Sequence, residues 1–204
     1  MPGQYYIYIP YADGESNSQL AEAAKEWRRN ASQHFQSPSS RRKIPKILVH
    51  GTGSPLSELR NSDPECYTVY IMAHCNIGRK TINNINIFAR ERIEITAPIL
   101  ATRMISDGLP KNVKNLKLFA CHGGTPQNTE KYTALDSFVA RLYFSLVSRG
   151  VEKVILSAYT EALTAATVAS IGDGHKRTQS GDRPSSHRRQ WPECIPIRPM
   201  PLFD

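Results

Sequence analysis

Apolar and polar positions along the chain follow two alternating rhythms. In "YYIYIP" (5–10), "KILVH" (46–50), "YTVYIMAH" (67–74), "NLKLFAC" (115–121) and "VEKVILSA" (151–158), short apolar runs are bounded by Gly, Pro or polar clusters. That is the pattern of strands buried on both faces. Between these runs the period lengthens. "SQLAEAAKEWRR" (18–29), "TAPILATRMISD" (96–107) and "TALDSFVARLYFSLVSR" (133–149) carry apolar residues three and four apart, which predicts three helices. Ser18 and Thr96 stand where N-caps belong, and Gly108, Pro110 and Gly150 follow the helix ends. "SPLSELRN" (54–61) predicts a further short helix, and the alternating "INNINIF" (82–88) a small hairpin or loop. Strand and helix periods in alternation predict an α/β fold, a three-layer α/β/α sandwich with a mainly parallel central sheet.

The pattern stops near residue 172. The remaining residues are rich in proline and basic side chains, so the expected organisation is one α/β domain over 1–172 and a C-terminal extension over 173–204. Trp191, Ile195, Ile197, Leu202 and Phe203 leave two readings of that extension, a strap packed on the domain or a disordered tail. No run of 18 apolar residues exists to span a membrane, and the N-terminus lacks a basic segment followed by an apolar one. The expected location is therefore the cytoplasm, or a host cytosol reached without a Sec signal. Four scattered cysteines without CxxC spacing predict no disulfide framework.

Charge adds one question. The formal net charge is +8, and the excess gathers at Arg28, Arg29, Arg41, Arg42 and Lys43, and again at Lys176, Arg177, Arg183, Arg188 and Arg189. Such runs are ordinarily solvated faces or tails; the other reading is attraction of an anionic ligand such as nucleic acid or a polyphosphate.

The candidate chemistry lies at two strand ends. "YTVYIMAHC" ends in His74 and Cys75, and "NLKLFACHGG" in Cys121 followed by His122, Gly123 and Gly124. If these strands are neighbours in a parallel sheet, their ends lie roughly 5 Å apart and both side chains can face one cleft, the geometry of a Cys-His dyad. His122, adjacent to Cys121, is expected to turn away from it as a loop residue.

These two strings resemble the signature strands of caspase-like (clan CD) cysteine peptidases, in which one apolar strand ends in His-Gly and a later one in Ala-Cys followed closely by glycine. The resemblance covers roughly residues 46–160. It implies a caspase-like fold of the bacterial toxin or effector branch, and cleavage of peptide bonds in a peptide or protein substrate, with no cofactor and no metal. By it His74 is the catalytic histidine and Cys121 the nucleophile. Oxyanion and substrate contacts would come from the Cys121 backbone N–H, from the turn at Cys75 and Asn76, and from Gly123 and Gly124. It also implies that a polyphosphate held by the basic regions could switch the site. The chain departs from the pattern at Cys75, where the family has glycine, and at Phe119, where caspases have glutamine.

Other readings of the same residues stay open. One is a caspase-like binding module without catalysis. Another is a Cys-type α/β-hydrolase, with "ILVHGTG" around His50 as the oxyanion loop, "FACHGG" as the nucleophile elbow, and Asp173 and His175 as acid and base. A third is a zinc site built from His74, Cys75, Cys121 and His122.

Overall fold

The computed structural model describes residues 3–12, 18–34, 44–76, 79–84, 92–125, 137–160, 163–164, 177–178 and 188–192. In chain order these form β1 (Gln4–Ile9), α1 (Ser18–His34), β2 (Lys46–Val49), two 3-10 turns (Pro55–Asn61 and Pro64–Cys66), β3 (Tyr67–Met72), β4 (Thr81–Asn83) and β5 (Glu94–Thr96). Beyond them come α2 (Ala97–Ser106), β6 (Asn115–Phe119), α3 (Phe138–Val147), β7 (Ile155–Tyr159), β8 (Leu163–Thr164), β9 (Arg177–Thr178) and β10 (Arg188–Trp191).

Each of the five apolar runs supplies one strand of a six-stranded sheet of order β10-β7-β6-β3-β1-β2. All pairings among those five are parallel, and only β10 runs antiparallel, against β7. The chain leaves β1 on one side to form β2 and returns to its other side to form β3. That reversal makes the gap beyond the carboxyl ends of β1 and β3 a topological switch point, where ligands of open α/β sheets gather.

Burial explains why the strands are apolar throughout. Ile7, Tyr8, Val69, Ile71, Leu116, Leu118, Leu156 and Ala158 are all completely buried. The register pairs Ile7 with Tyr70 and Tyr8 with Ile71, so alternation puts Tyr70 and Tyr8 on opposite faces. Trp27 of α1 packs on the first face, its ring 4.8 Å from that of Tyr70 and 5.3 Å from that of Phe119. On the second face the Tyr8 hydroxyl donates to Asp107, just after α2, at 2.8 Å. In α1 the buried positions Leu20, Ala24 and Ala31 flank Trp27 at helical spacing, and in α2 they are Ala97, Leu100, Ala101 and Met104.

Helix α2 ends as its sequence requires. Gly108 has φ +91°, its N–H donates to Ile105, and the N–H of Leu109 reaches back to Met104. This is a Schellman termination with glycine in the left-handed position. A Cβ at Gly108 would also stand 2.9 Å from Ser57 Cβ and 3.0 Å from its backbone nitrogen. Gly108→Ala is therefore expected to cost about 2 kcal/mol or more, from left-handed strain and the clash together. A denaturant midpoint lowered at constant m-value checks this.

Several boundaries differ from the sequence expectation. The strand expected over 67–74 ends at Met72, because His74 pairs instead with Asn83. The strand expected over 115–121 ends at Phe119, where a turn begins. Residues 151–154 precede β7 without joining it. The helix expected over 133–149 is seen as Phe138–Val147, capped by Ser137, whose hydroxyl accepts from the N–H of Ala140; residues 133–136 lie outside the described residues. The segment 54–61 is a 3-10 helix over Pro55–Asn61. Of "INNINIF", Ile82 and Asn83 lie in β4, which pairs antiparallel with β5, and 85–88 lie outside the described residues. The basic extension supplies β10, whose Trp191 is fully buried; Ile195, Ile197, Leu202 and Phe203 lie outside the described residues. Among the described residues no helix is long and apolar enough to cross a membrane.

Candidate active site

The carboxyl edge of the sheet gathers the candidate residues. β3 and β6 are adjacent and parallel, their last paired positions being Met72 and Phe119. The N–H of Ala73 still donates to Phe119 at 3.3 Å. His74 and Cys121 therefore follow neighbouring strands, each two positions beyond the last pair. The sequence asked for this adjacency, and the sheet order supplies it.

His74 is fixed by its own backbone. Its N–H donates to the Asn83 carbonyl and its carbonyl accepts from the Asn83 N–H, both at 2.9 Å. This exchange bends the chain away from β3 and anchors it to β4. The imidazole is half-buried, and that burial pushes its pKa below the ordinary histidine value, with no charged group contributing. A neutral ring at pH 7 is the form a general base needs.

Cys121 is partly exposed and opens the turn that leads out of β6. The two glycines behind it are tightly surrounded. A Cβ at Gly123 would stand 2.6 Å from Leu118 Cδ2, and one at Gly124 would stand 3.2 Å from the Tyr159 carbonyl oxygen. Their N–H groups donate to Ala120 at 3.4 Å and to Tyr159 at 2.9 Å, so the first closes the turn and the second ties it to β7. Among the described residues the N–H groups of Cys75 and Asn76 donate to no backbone carbonyl.

Cys75 behaves differently from Cys121. It is buried, with Sγ directed at the carbonyls of Asn76 (3.6 Å) and Thr81 (3.8 Å). Burial pushes its thiol up to about 12, the Asn76 contact opposes this, and the nearby Cys121 thiol adds to it. It is a protonated thiol at neutral pH. Its side chain is turned inward. Cys66 stands at the other end of β3, its thiol donating to Asp63 Oδ2 at 3.3 Å, and Cys194 lies outside the described residues.

His122 takes the strained place in the turn, with φ +53°. Its Nδ1 lies 3.0 Å from the Thr160 carbonyl, which also accepts from the Thr125 hydroxyl at 2.9 Å. Among the described residues no group of three or more His, Cys, Asp or Glu could hold a metal ion, so His74, Cys75, Cys121 and His122 do not form a zinc site. The elbow reading also loses ground, because the strained residue is His122 rather than Cys121. Asp173 and His175 lie outside the described residues.

A second polar group was not legible in the sequence. Just past β2, His50 Nδ1 lies 2.9 Å from Asp107 Oδ2, the same oxygen that accepts from Tyr8. Asp107 is buried, and its only sequence signature is that of a helix end before Gly108. Such long-range pairing leaves no local trace.

Of the basic positions, Lys117 is half-buried, with its ammonium 5.3 Å from the centre of the Tyr70 ring. Burial and then Arg188 lower its pKa. Residues 41–43, Lys176 and Arg183 lie outside the described residues. No family model and no curated protein matches the chain, so the chemistry rests on the site itself.

Proposed function

We propose that this chain is a cysteine peptidase, or a peptidase-like hydrolase, with a caspase-like three-layer α/β/α fold, Cys121 as nucleophile and His74 as general base and acid. The observation that carries the reading is the parallel pairing of β3 with β6, since His74 and Cys121 each follow two positions after its last pair, Met72 and Phe119. Neutral His74 takes the thiol proton, and Cys121 sulfur attacks the substrate carbonyl. The imidazolium then gives that proton to the leaving amine as the C–N bond breaks. Water, deprotonated by the same imidazole, hydrolyses the resulting thioester and restores the thiol.

Backbone N–H groups at Cys75 and Asn76 suit the developing oxyanion. Cys75 stands where the resembled family has glycine, and its side chain is turned inward. Contacts of α1 and of Asp107 with opposite faces of the sheet support the three-layer arrangement.

Iodoacetamide labelling with peptide mapping tests the reading. Between pH 6 and 8, Cys121 should be carbamidomethylated faster than Cys66, and Cys75 should stay unmodified because its thiol is held protonated to about 12. Cys121 labelling no faster than Cys66 would favour a caspase-like module without catalysis.

A further inference from the structure

Asn83 is the residue most intimately tied to His74. The two exchange both backbone hydrogen bonds at 2.9 Å. In an antiparallel pair of this kind the Cα atoms lie about 5.5 Å apart and the side chains stand on the same face. Asn83 is only 2% exposed, and its Oδ1 has no hydrogen-bond partner among the described residues. The next residue, Asn84, is equally buried but uses its Oδ1 to accept from the Ile93 N–H at 2.8 Å. A buried amide oxygen without a donor is rare in folded proteins and calls for an explanation.

The histidine supplies the complement. A general base offers one ring nitrogen as a lone pair, and its other nitrogen carries a proton that needs an acceptor to fix ring orientation and tautomer. The His74 ring does not reach that oxygen in this structure; we propose that Asn83 is the positioning residue of the site, its Oδ1 accepting the second ring N–H of His74 once the ring turns toward it, so that Cys121, His74 and Asn83 work as one unit. This rests on the dyad reading. An amide, unlike a carboxylate, fixes the tautomer without stabilising the imidazolium. That agrees with a ring held neutral by burial.

The test uses the full chain labelled with 15N-histidine, the His74 ring signals being assigned from their loss in His74→Gln. In the unsubstituted protein at neutral pH, one neutral tautomer of His74 should dominate. Asn83→Ala should give a mixture of tautomers and lower kcat for peptide hydrolysis about 10- to 100-fold at similar KM. Asn83→Asp should restore the single tautomer while raising the pH at which His74 titrates. Mixed tautomers in the unsubstituted protein, read without any substitution at Asn83, would overturn the assignment, as would Asn83→Ala with unchanged tautomer and kcat. Failure of the dyad looks different: Cys121 alkylation would be unaffected by His74→Ala, whatever the tautomer of His74, and the role given to Asn83 would fall with it.

Discussion

Cys121→Ala is expected to abolish peptide hydrolysis, with kcat falling about 10⁴-fold or more, while stability changes by less than about 1 kcal/mol. The two halves of this expectation have separate causes. The sulfur is the only heavy atom lost, and without it no covalent intermediate can form. Cys121 is a partly exposed residue at the start of a turn, so its side chain contributes little packing. The turn is held by Gly123, Gly124 and their hydrogen bonds, none of which needs the thiol. His74→Ala should cost a comparable factor, and the double variant should be little worse than either single one, because the pair acts as a unit. Rates on a peptide substrate beside denaturation midpoints check both halves. Hydrolysis surviving in Cys121→Ala would move the chemistry elsewhere.

The largest effect on stability is expected from Trp191→Ala, at about 3–5 kcal/mol. Trp191 is fully buried and pairs in register with Leu156 of β7. Truncating it leaves an indole-sized cavity beside the last core strand. Against the roughly 5–15 kcal/mol of an ordinary domain, that is about a fifth or more of the total. Trp191→Phe should lose distinctly less, because it keeps an aromatic ring in place and the indole Nε1 has no hydrogen-bond partner among the described residues. Urea denaturation measures both. A loss below about 1 kcal/mol in Trp191→Ala would mean that β10 adds nothing to the core.

Burial decides which elements the sequence revealed and which it concealed. The parallel strands were legible because burial forces apolar residues at consecutive positions, as at Tyr6, Ile7, Tyr8 and Ile9 of β1, while β2 at the sheet edge is only partly buried and was legible by its apolar composition. β10 was not legible because Arg188 and Arg189 are exposed and only Trp191 of its four residues is buried. Polar residues on an edge strand look like the tail around them. β5 is three residues long and exists only by pairing with β4, so no period could reveal it.

The site was legible in the same uneven way. His74 and Cys121 ended conspicuous apolar runs, and the βαβ order made their strands plausible neighbours. The difference between the two candidate thiols was hidden, because burial of Cys75 depends on β4, to whose Thr81 carbonyl its sulfur points. The partnership of His74 with Asn83, and of His50 with Asp107 and Tyr8, was equally hidden. Each is a contact across elements whose residues carry no mark of it in their immediate sequence.

The central claim is that His74 activates Cys121. The most direct measurement is the rate of Cys121 carbamidomethylation at pH 7, read by peptide mass spectrometry in the unsubstituted protein and in His74→Ala, with Cys66 in the same chain as internal reference. The expected result is a rate at Cys121 that falls about tenfold or more in His74→Ala while the Cys66 rate is unchanged. Equal Cys121 rates in the two proteins, or modification at Cys75 in place of Cys121, would contradict it.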